Sequence, residues 1–369
     1  MTAVTAVAAV TMVLGGSGLG GSGLAGAAVA PAVSAWTVQP APLLPKMDSG
    51  GLASVSCVGA RYCIAARASL AEVWNGTAWV PRRITVAGHT ANVQEVSCPA
   101  RARCFAVGLV APDNQTWVAL SWNGTTWTVM PGSQVADGVL EGISCVSVSF
   151  CVAVGASDGG TVTLSWNGST WTVDPTPTQK GGDWLLGVSC ASATSCLAIG
   201  DPNGIDRRLV EEWDGSVWTV LPKPPVPAGA TYPSWTGVSC ASAAECMVVG
   251  SYVNGADYKP LAELWNGSAW VLQDVPSGKS EEMSGVSCPV AGHCTVVGRV
   301  LPGTSALIEA WNGTRWNQQR GVTPPAGSKE LYGLQAVSCT AASTCEAVGG
   351  IGYRRGSGQR EGLPLAAGE

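Results

Sequence analysis

Fourteen cysteines fall into seven pairs at one spacing, C-x5-C: Cys57/Cys63, Cys98/Cys104, Cys145/Cys151, Cys190/Cys196, Cys240/Cys246, Cys288/Cys294 and Cys339/Cys345. An even count in a fixed register reads as a disulfide framework formed in an oxidising compartment. Metal binding is the competing chemistry. Zinc sites favour closer cysteines and usually recruit histidine, and this chain has only His89 and His293. Neither a metal nor a cofactor is expected.

Catalytic chemistry has less to stand on. The sequence holds no G-x-S-x-G elbow, P-loop or H-E-x-x-H. Asp183, Asp201, Asp206, Asp257 and Glu282 are acids that could pair as a glycosidase acid and base, but no spacing brings two of them together. Arg207, Arg208, Arg354 and Arg355 could serve a sialidase, again with no motif to join them. The expectation leans away from an enzyme, with a glycan-processing hydrolase or lyase as the alternative.

Binding chemistry is better represented, by aromatic residues that break the repeat described below. Trp117 stands where other copies have Ser69, Thr161, Arg208, Pro260 or Ala306. Trp184 and Trp235 precede Val-Ser-Cys segments, with Asp183, Tyr232 and Tyr332 in the same class of loop. An aromatic platform beside a carboxylate suits a carbohydrate, whose apolar face stacks while its hydroxyls seek acceptors. Trp117, Asp183, Trp184, Tyr232, Trp235 and Tyr332 are thus the expected ligand-binding residues. For Trp235 the competing reading is core packing, since other copies carry Leu52, Val93, Leu140, Leu185, Met283 and Leu334 at its position.

These residues are positioned by one recurring unit. Each copy has a segment ending in Val-Ser-Cys or a close variant and a second beginning at the next Cys, followed in six copies by W-N-G-x-x-W or its Asp variant, as in Trp265-Asn266-Gly267-Ser268-Ala269-Trp270. Asn-Gly between strand-like runs is a strong hairpin signal, because both residues tolerate positive φ. Strand parity sets the two Trp on one face. The motif also creates sequons such as Asn75-Gly76-Thr77. The fourth copy, Asp214-Gly215-Ser216, keeps the turn chemistry without the acceptor Asn, so turn geometry is the simpler cause.

Four strands per copy with up-and-down connectivity make a propeller blade, and a repeat of 41 to 51 residues fits one. The fold expected is all-β: a seven-bladed β-propeller with four antiparallel strands per blade. Blade cores are expected near 52–80, 93–129, 140–173, 185–220, 235–272, 283–318 and 334–369. The last copy lacks a W-N-G-x-x-W, and Trp36-Thr37-Val38-Gln39-Pro40 matches Trp127-Thr128-Val129-Met130-Pro131. An N-terminal strand over 36–40 is therefore expected to complete the last blade and remove a free sheet edge.

The pattern resembles the Cys- and Trp-rich propeller repeats of exported bacterial proteins and is similar in plan to kelch and sialidase-type propellers. Gly76 to Trp79 and Gly267 to Trp270 resemble the end of the sialidase Asp-box, S-x-D-x-G-x-x-W, without its Ser and Asp in register. That resemblance covers residues 36 to about 349 and implies a fold without implying an activity.

Composition bounds the partner. The formal charge is -5, and Lys and Arg form no long run, so neither nucleic acid nor an acidic membrane surface is indicated. Residues 1–35 carry no charge, and their apolar run at 2–14 has the length of a signal-peptide core. A monomeric extracellular or cell-wall protein is expected, binding carbohydrate or a cell-surface protein through its variable loops. A structural cell-surface spacer is the remaining alternative.

Overall fold

The computed structural model describes residues 36–39, 41–42, 51–110, 116–135, 138–177, 182–201, 208–278, 280–302, 305–319, 322, 330–354 and 360–368. The leader expected over residues 1–35 and Pro40 of the expected closing strand lie outside them. Every regular element among the described residues is a β-strand.

The strands form seven antiparallel sheets. Six are each built from one contiguous repeat. In the third, the strands Gly138–Ser147, Phe150–Ser157, Gly160–Trp166 and Trp171–Asp174 lie side by side in chain order. The second sheet carries a fifth, two-residue strand, Thr85–Val86, beside its inner strand. The seventh is composite: Glu330–Ala341, Thr344–Arg354 and Arg360–Gly368 are followed by Thr37–Gln39 from the other end of the chain, with Thr37 opposite Gly368.

The inner strands are Ser54–Cys57, His89–Ala100, Gly138–Ser147, Trp184–Ser192, Thr231–Ser242, Glu281–Val290 and Glu330–Ala341. Each contacts the inner strand before and after it, and Ser54–Cys57 contacts both its successor and Glu330–Ala341. The sheets therefore close into a ring, as the blades of a propeller do. Second strands such as Phe150–Ser157 are buried along most of their length because a sheet packs on either side, which explains their unbroken apolar runs.

Seven hydrophobic clusters fill the seams between adjacent sheets. One joins Val152 and Val154 of the third sheet to Leu185, Val188, Ala198 and Trp218 of the fourth. Another joins Val348 of the seventh sheet to Leu52, Val55, Ala65 and Trp79 of the first.

The repeated polar residues fasten these seams. The Ser of each Val-Ser-Cys segment, Ile-Ser-Cys in the third sheet, accepts a hydrogen bond from the amide of the corresponding Cys in the next sheet: Ser56 from Cys98, Ser97 from Cys145, Ser144 from Cys190, Ser189 from Cys240, Ser239 from Cys288 and Ser287 from Cys339, at 2.9–3.0 Å. Ser338 closes the circle by accepting from Cys57 at 3.0 Å.

All seven expected disulfides are present: Cys57–Cys63, Cys98–Cys104, Cys145–Cys151, Cys190–Cys196, Cys240–Cys246, Cys288–Cys294 and Cys339–Cys345, with Cα atoms 3.9–4.1 Å apart. They account for every cysteine of the chain, so the sulfurs are committed to bridges and not to metal ligation. Each bridge ties an inner strand to the second strand of its own sheet. The second cysteines, Cys63, Cys104, Cys151, Cys196, Cys246, Cys294 and Cys345, are all buried, and each starts or nearly starts its strand.

The paired tryptophans also face each other, Trp74 opposite Trp79, and their rings lie 5.2–5.9 Å apart and tilted. Between them Asn75 Oδ1 accepts from the amides of Thr77 and Ala78 and from the Thr77 hydroxyl, while Gly76 takes φ +97°. Asp214 makes the same three bonds in the fourth sheet, to Ser216 N, Ser216 Oγ and Val217 N.

Candidate ligand-binding face

Up-and-down connectivity puts the Cys loops and Asn-Gly turns at one end of every sheet, and the loops of varied length at the other. The six expected binding residues lie at or near that variable end, but burial divides them.

Trp117 is 7 % exposed and packs with Met130, Val135, Leu140 and Leu164 in the seam between the second and third sheets. Trp235 is 3 % exposed. It stacks on Trp270 at 6.2 Å, donates its indole N–H to Glu263 Oε2 at 2.6 Å, and lies under the Arg208 guanidinium at 5.6 Å. Arg208 Nη1 also donates to Glu263 Oε1 at 3.2 Å and to the Pro224 carbonyl at 2.9 Å. Both indoles are thus seam residues, Trp117 at the start of its strand and Trp235 within the inner strand of the fifth sheet, packed between the fourth and fifth sheets. Asp183 is buried as well.

Trp184 and Tyr232 are at the surface, 41 % and 62 % exposed. Tyr232 holds φ +50°, an uncommon conformation for a non-glycine residue. Tyr332 lies in the inner strand of the seventh sheet, and its side chain is outside those described.

Trp184 opens the inner strand of the fourth sheet, opposite Asp201. Beside it lies a notch of about 640 Å³, lined by Gly138, Val139, Ser157, Asp158 and Gly182. Its carboxylate comes from Asp158, which is exposed in the hairpin turn after the second strand of the third sheet. Sequence reasoning favours Asp183 for this role, because it adjoins Trp184 in the chain. Asp158 carries a usable signal, an acid in the loop class where copies differ, but the strand it faces belongs to the next repeat. On the fifth sheet a hairpin extends through the pairs Val253 with Tyr258 and Asn254 with Asp257, and Tyr258 is exposed.

A second cavity, of about 210 Å³, lies on the axis and is lined by residues of all seven inner strands. Its lining follows from a repeated irregularity. The pairing of inner with second strand skips one residue between Val93 and Glu95, Leu140 and Gly142, Leu185 and Gly187, Trp235 and Gly237, Met283 and Gly285, and Leu334 and Ala336. A bulge re-aims the skipped residue. Here the skipped residues, Gln94, Glu141, Leu186, Thr236, Ser284 and Gln335, line the axial cavity.

The next position is glycine in four sheets, and the inner strands approach closely there. A Cβ on Gly285 would meet the Gln335 carbonyl at 2.9 Å. In the second sheet that position is Glu95, whose Oε2 accepts from the Ile143 amide of the third sheet at 2.7 Å. Burial, with Glu141 nearby, pushes the Glu95 carboxyl up to about 8 despite that hydrogen bond.

The acids and histidines considered for catalysis stay apart. Glu282 is paired with Arg299, and Asp257 lies 4.0 Å from Lys259. His293 is exposed at the Cys-loop end, with Nδ1 near the Ala291 carbonyl. Asp206, Arg207, Arg355 and the side chain of Arg354 lie outside the described residues.

No protein-family model matches the chain, and no curated protein sequence matches it. The fold is similar to solved structures at low identity. The structure "YCF48 bound to D1 peptide" aligns over 90% of this chain and 96% of its own, at 10% identity and TM-score 0.57. YCF48 from Cyanidioschyzon merolae aligns over 90% and 98%, at 13% identity and TM-score 0.54. The RRP9 WD40 repeats align over 88% and 96%, at 10% identity and TM-score 0.57. At such identities the likeness concerns the fold: an all-β propeller with four-stranded antiparallel blades.

Proposed function

We propose that this chain is an exported, disulfide-stapled, seven-bladed propeller over residues 36–369 that acts as a non-catalytic binding module for carbohydrate through its variable-loop face. Trp184 carries this reading. Most indoles of this repeat-built protein are sealed into seams, whereas Trp184 lies 41 % exposed beside a notch with an acceptor carboxylate at Asp158 and a hydroxyl at Ser157. A sugar ring stacked on the indole would place its hydroxyls within reach of such acceptors. Seven disulfides favour an oxidising, extracellular setting.

The test is a glycan array probed with the wild-type protein, Trp184→Ala and Trp184→Phe. Loss of a Trp at a binding hot spot costs about 2 kcal/mol or more, so the Ala variant is expected to weaken binding roughly thirtyfold. The Phe variant, which retains a stacking face, is expected to lose less. Glycan binding that survives Trp184→Ala unchanged would remove this notch from consideration.

A further inference from the structure

The axial cavity is a second site, chemically unlike the notch. Its charged lining groups are both carboxyls, Glu95 and Glu141, and among the described residues no Lys, Arg or His lines it. Uncharged oxygen acceptors surround them on Gln94, Thr236, Ser284 and Gln335, with one apolar wall at Leu186, itself 37 % exposed. The cavity is narrow because inner strands meet across glycine, as at Gly142, where an added Cβ would lie 3.0 Å from Gly187 Cα and 3.2 Å from Glu95 Oε2.

We propose that the axial cavity is the seat for the basic end of a lysine or arginine side chain presented by a partner polypeptide. Three observations converge. Glu95 is held in place by the Ile143 amide, so its carboxyl is preorganised across a seam. Glu141 is delivered to the same lining by the bulge after Leu140. Leu186 offers a methylene stem an apolar contact at the cavity wall, which matches the amphipathic build of a basic side chain. A cation between the two carboxyls would also relieve the repulsion that helps to raise Glu95. A metal ion fits less well, since no three His, Cys, Asp or Glu groups converge among the described residues. The site is separate from the Trp184 notch and does not depend on it.

The test uses the full chain and a fluorescein-labelled Gly/Ser peptide carrying one lysine, with a norleucine counterpart, read by fluorescence anisotropy at low and physiological salt. Saturable binding of the lysine peptide alone is expected, weakening as salt rises. Glu141→Gln and Glu95→Gln should each reduce it at least about tenfold, and Leu186→Arg should abolish it by supplying a cation from the wall. Trp184→Ala should leave it unchanged. Melting curves identify any variant that fails to fold, and Gln at position 95 retains an acceptor for Ile143. Equal binding of the norleucine peptide, or lysine binding indifferent to both Glu variants, would overturn the assignment. So would a chitosan tetramer that binds through Glu141 where the lysine peptide does not, because the ammonium would then belong to a glycan.

Discussion

The amide of Cys57 donates to the hydroxyl of Ser338 at 3.0 Å across a sequence separation of 281 residues. Six equivalent bonds join neighbours in the chain over 42 to 52 residues. Geometry makes the seven alike although the chain makes one of them different. Ser338→Ala leaves a partly buried amide without its acceptor and is expected to cost about 1–2 kcal/mol, the same as Ser97→Ala within error. Urea titrations of the two variants check this. A neutral Ser338→Ala beside a costly Ser97→Ala would mean an open seam between the seventh and first sheets.

The N-terminal strand is tied on three sides. Trp36 Nε1 donates to Gln319 Oε1 at 2.6 Å in the sixth sheet, Gln39 Oε1 accepts from Trp79 Nε1 at 2.7 Å in the first, and Gln39 Nε2 donates to Glu346 Oε1 at 3.0 Å in the seventh. Removing residues 36–39 should therefore lower the melting temperature of the whole ring, and Gln39→Ala should cost about 2–3 kcal/mol by stranding two buried partners. An unchanged melting curve for the deletion would contradict the closure.

A buried glutamate stands two residues before the first Trp in four sheets: Glu72, Glu211, Glu263 and Glu309. Two reach across a seam, Glu211 to the Thr161 hydroxyl and Glu263 to Arg208. The residues in the register of Thr161 and Arg208 that precede Glu309 and Glu72 are Pro260 and Pro364, which have no donor, and both oxygens of Glu72 and Glu309 are buried without a partner. Glu72→Leu and Glu309→Leu should thus stabilise the fold by about 1–3 kcal/mol. Glu263→Leu should destabilise it by about 3–5 kcal/mol, because Arg208 is left buried. Chemical denaturation separates the two signs.

The same acids set a pH dependence. Burial raises Glu72 to about 8, and burial with nearby Glu281 raises Glu309 to about 7, both above the ordinary value of 4.5. The folded state holds these protons more tightly than the unfolded chain does. Their contribution is therefore fully present below about pH 4.5 and is lost as pH rises through 7 to 8. Stability measured from pH 5 to pH 9 should decline, and the decline should flatten in a Glu72→Gln, Glu309→Gln double variant. A slope identical in the two proteins would show that other groups dominate.

Each disulfide closes a short loop, so each contributes about 2 kcal/mol by chain entropy. Replacing Cys57 and Cys63 together by Ala should lower stability by that amount, and full reduction should lower it far more. A pair variant with wild-type stability would locate the strength of the hairpin in its strand pairing alone.

Much of this was legible because it repeats. Cys opposite Cys, Trp opposite Trp and the displaced strand at Thr37–Gln39 all follow from period and parity within one unit. What escaped lies between units, or between strands of one unit that are not neighbours. The acceptor of the Cys98 amide is Ser56, one repeat earlier, and the acceptor of Trp235 Nε1 is Glu263, one strand pair later. Nothing in a linear reading aligns those positions. Trp117 and Trp235 resemble a binding platform because they break the repeat, yet an irregular residue can equally fill an irregular gap between diverging sheets. The bulges that line the axis are hidden because a one-residue slip leaves the apolar pattern on either side intact.

The Asn-Gly turns have a bearing on how the molecule ages. Asn followed by Gly is the pair most prone to spontaneous deamidation, and besides the exposed Asn254-Gly255 turn five such pairs stand exposed in the Trp hairpins, at Asn75, Asn123, Asn167, Asn266 and Asn312. The fourth sheet already shows the hydrolysed product in place. Asp214 keeps the three hydrogen bonds that the Oδ1 of its asparagine counterparts accepts, and those from Ser216 and Val217 hold its carboxyl below the usual range. Conversion of those five to aspartate would add negative charge to one rim of the disc while leaving each hairpin the bonds its Oδ1 accepts, and Asn123 would lose the further bond from its Nδ2 to Thr126 Oγ1. The aspartate product of ageing is thus nearly silent in the structure, whereas the isoaspartate that opens from the same succinimide adds a methylene to the backbone of the turn and breaks the spacing that sets Trp opposite Trp.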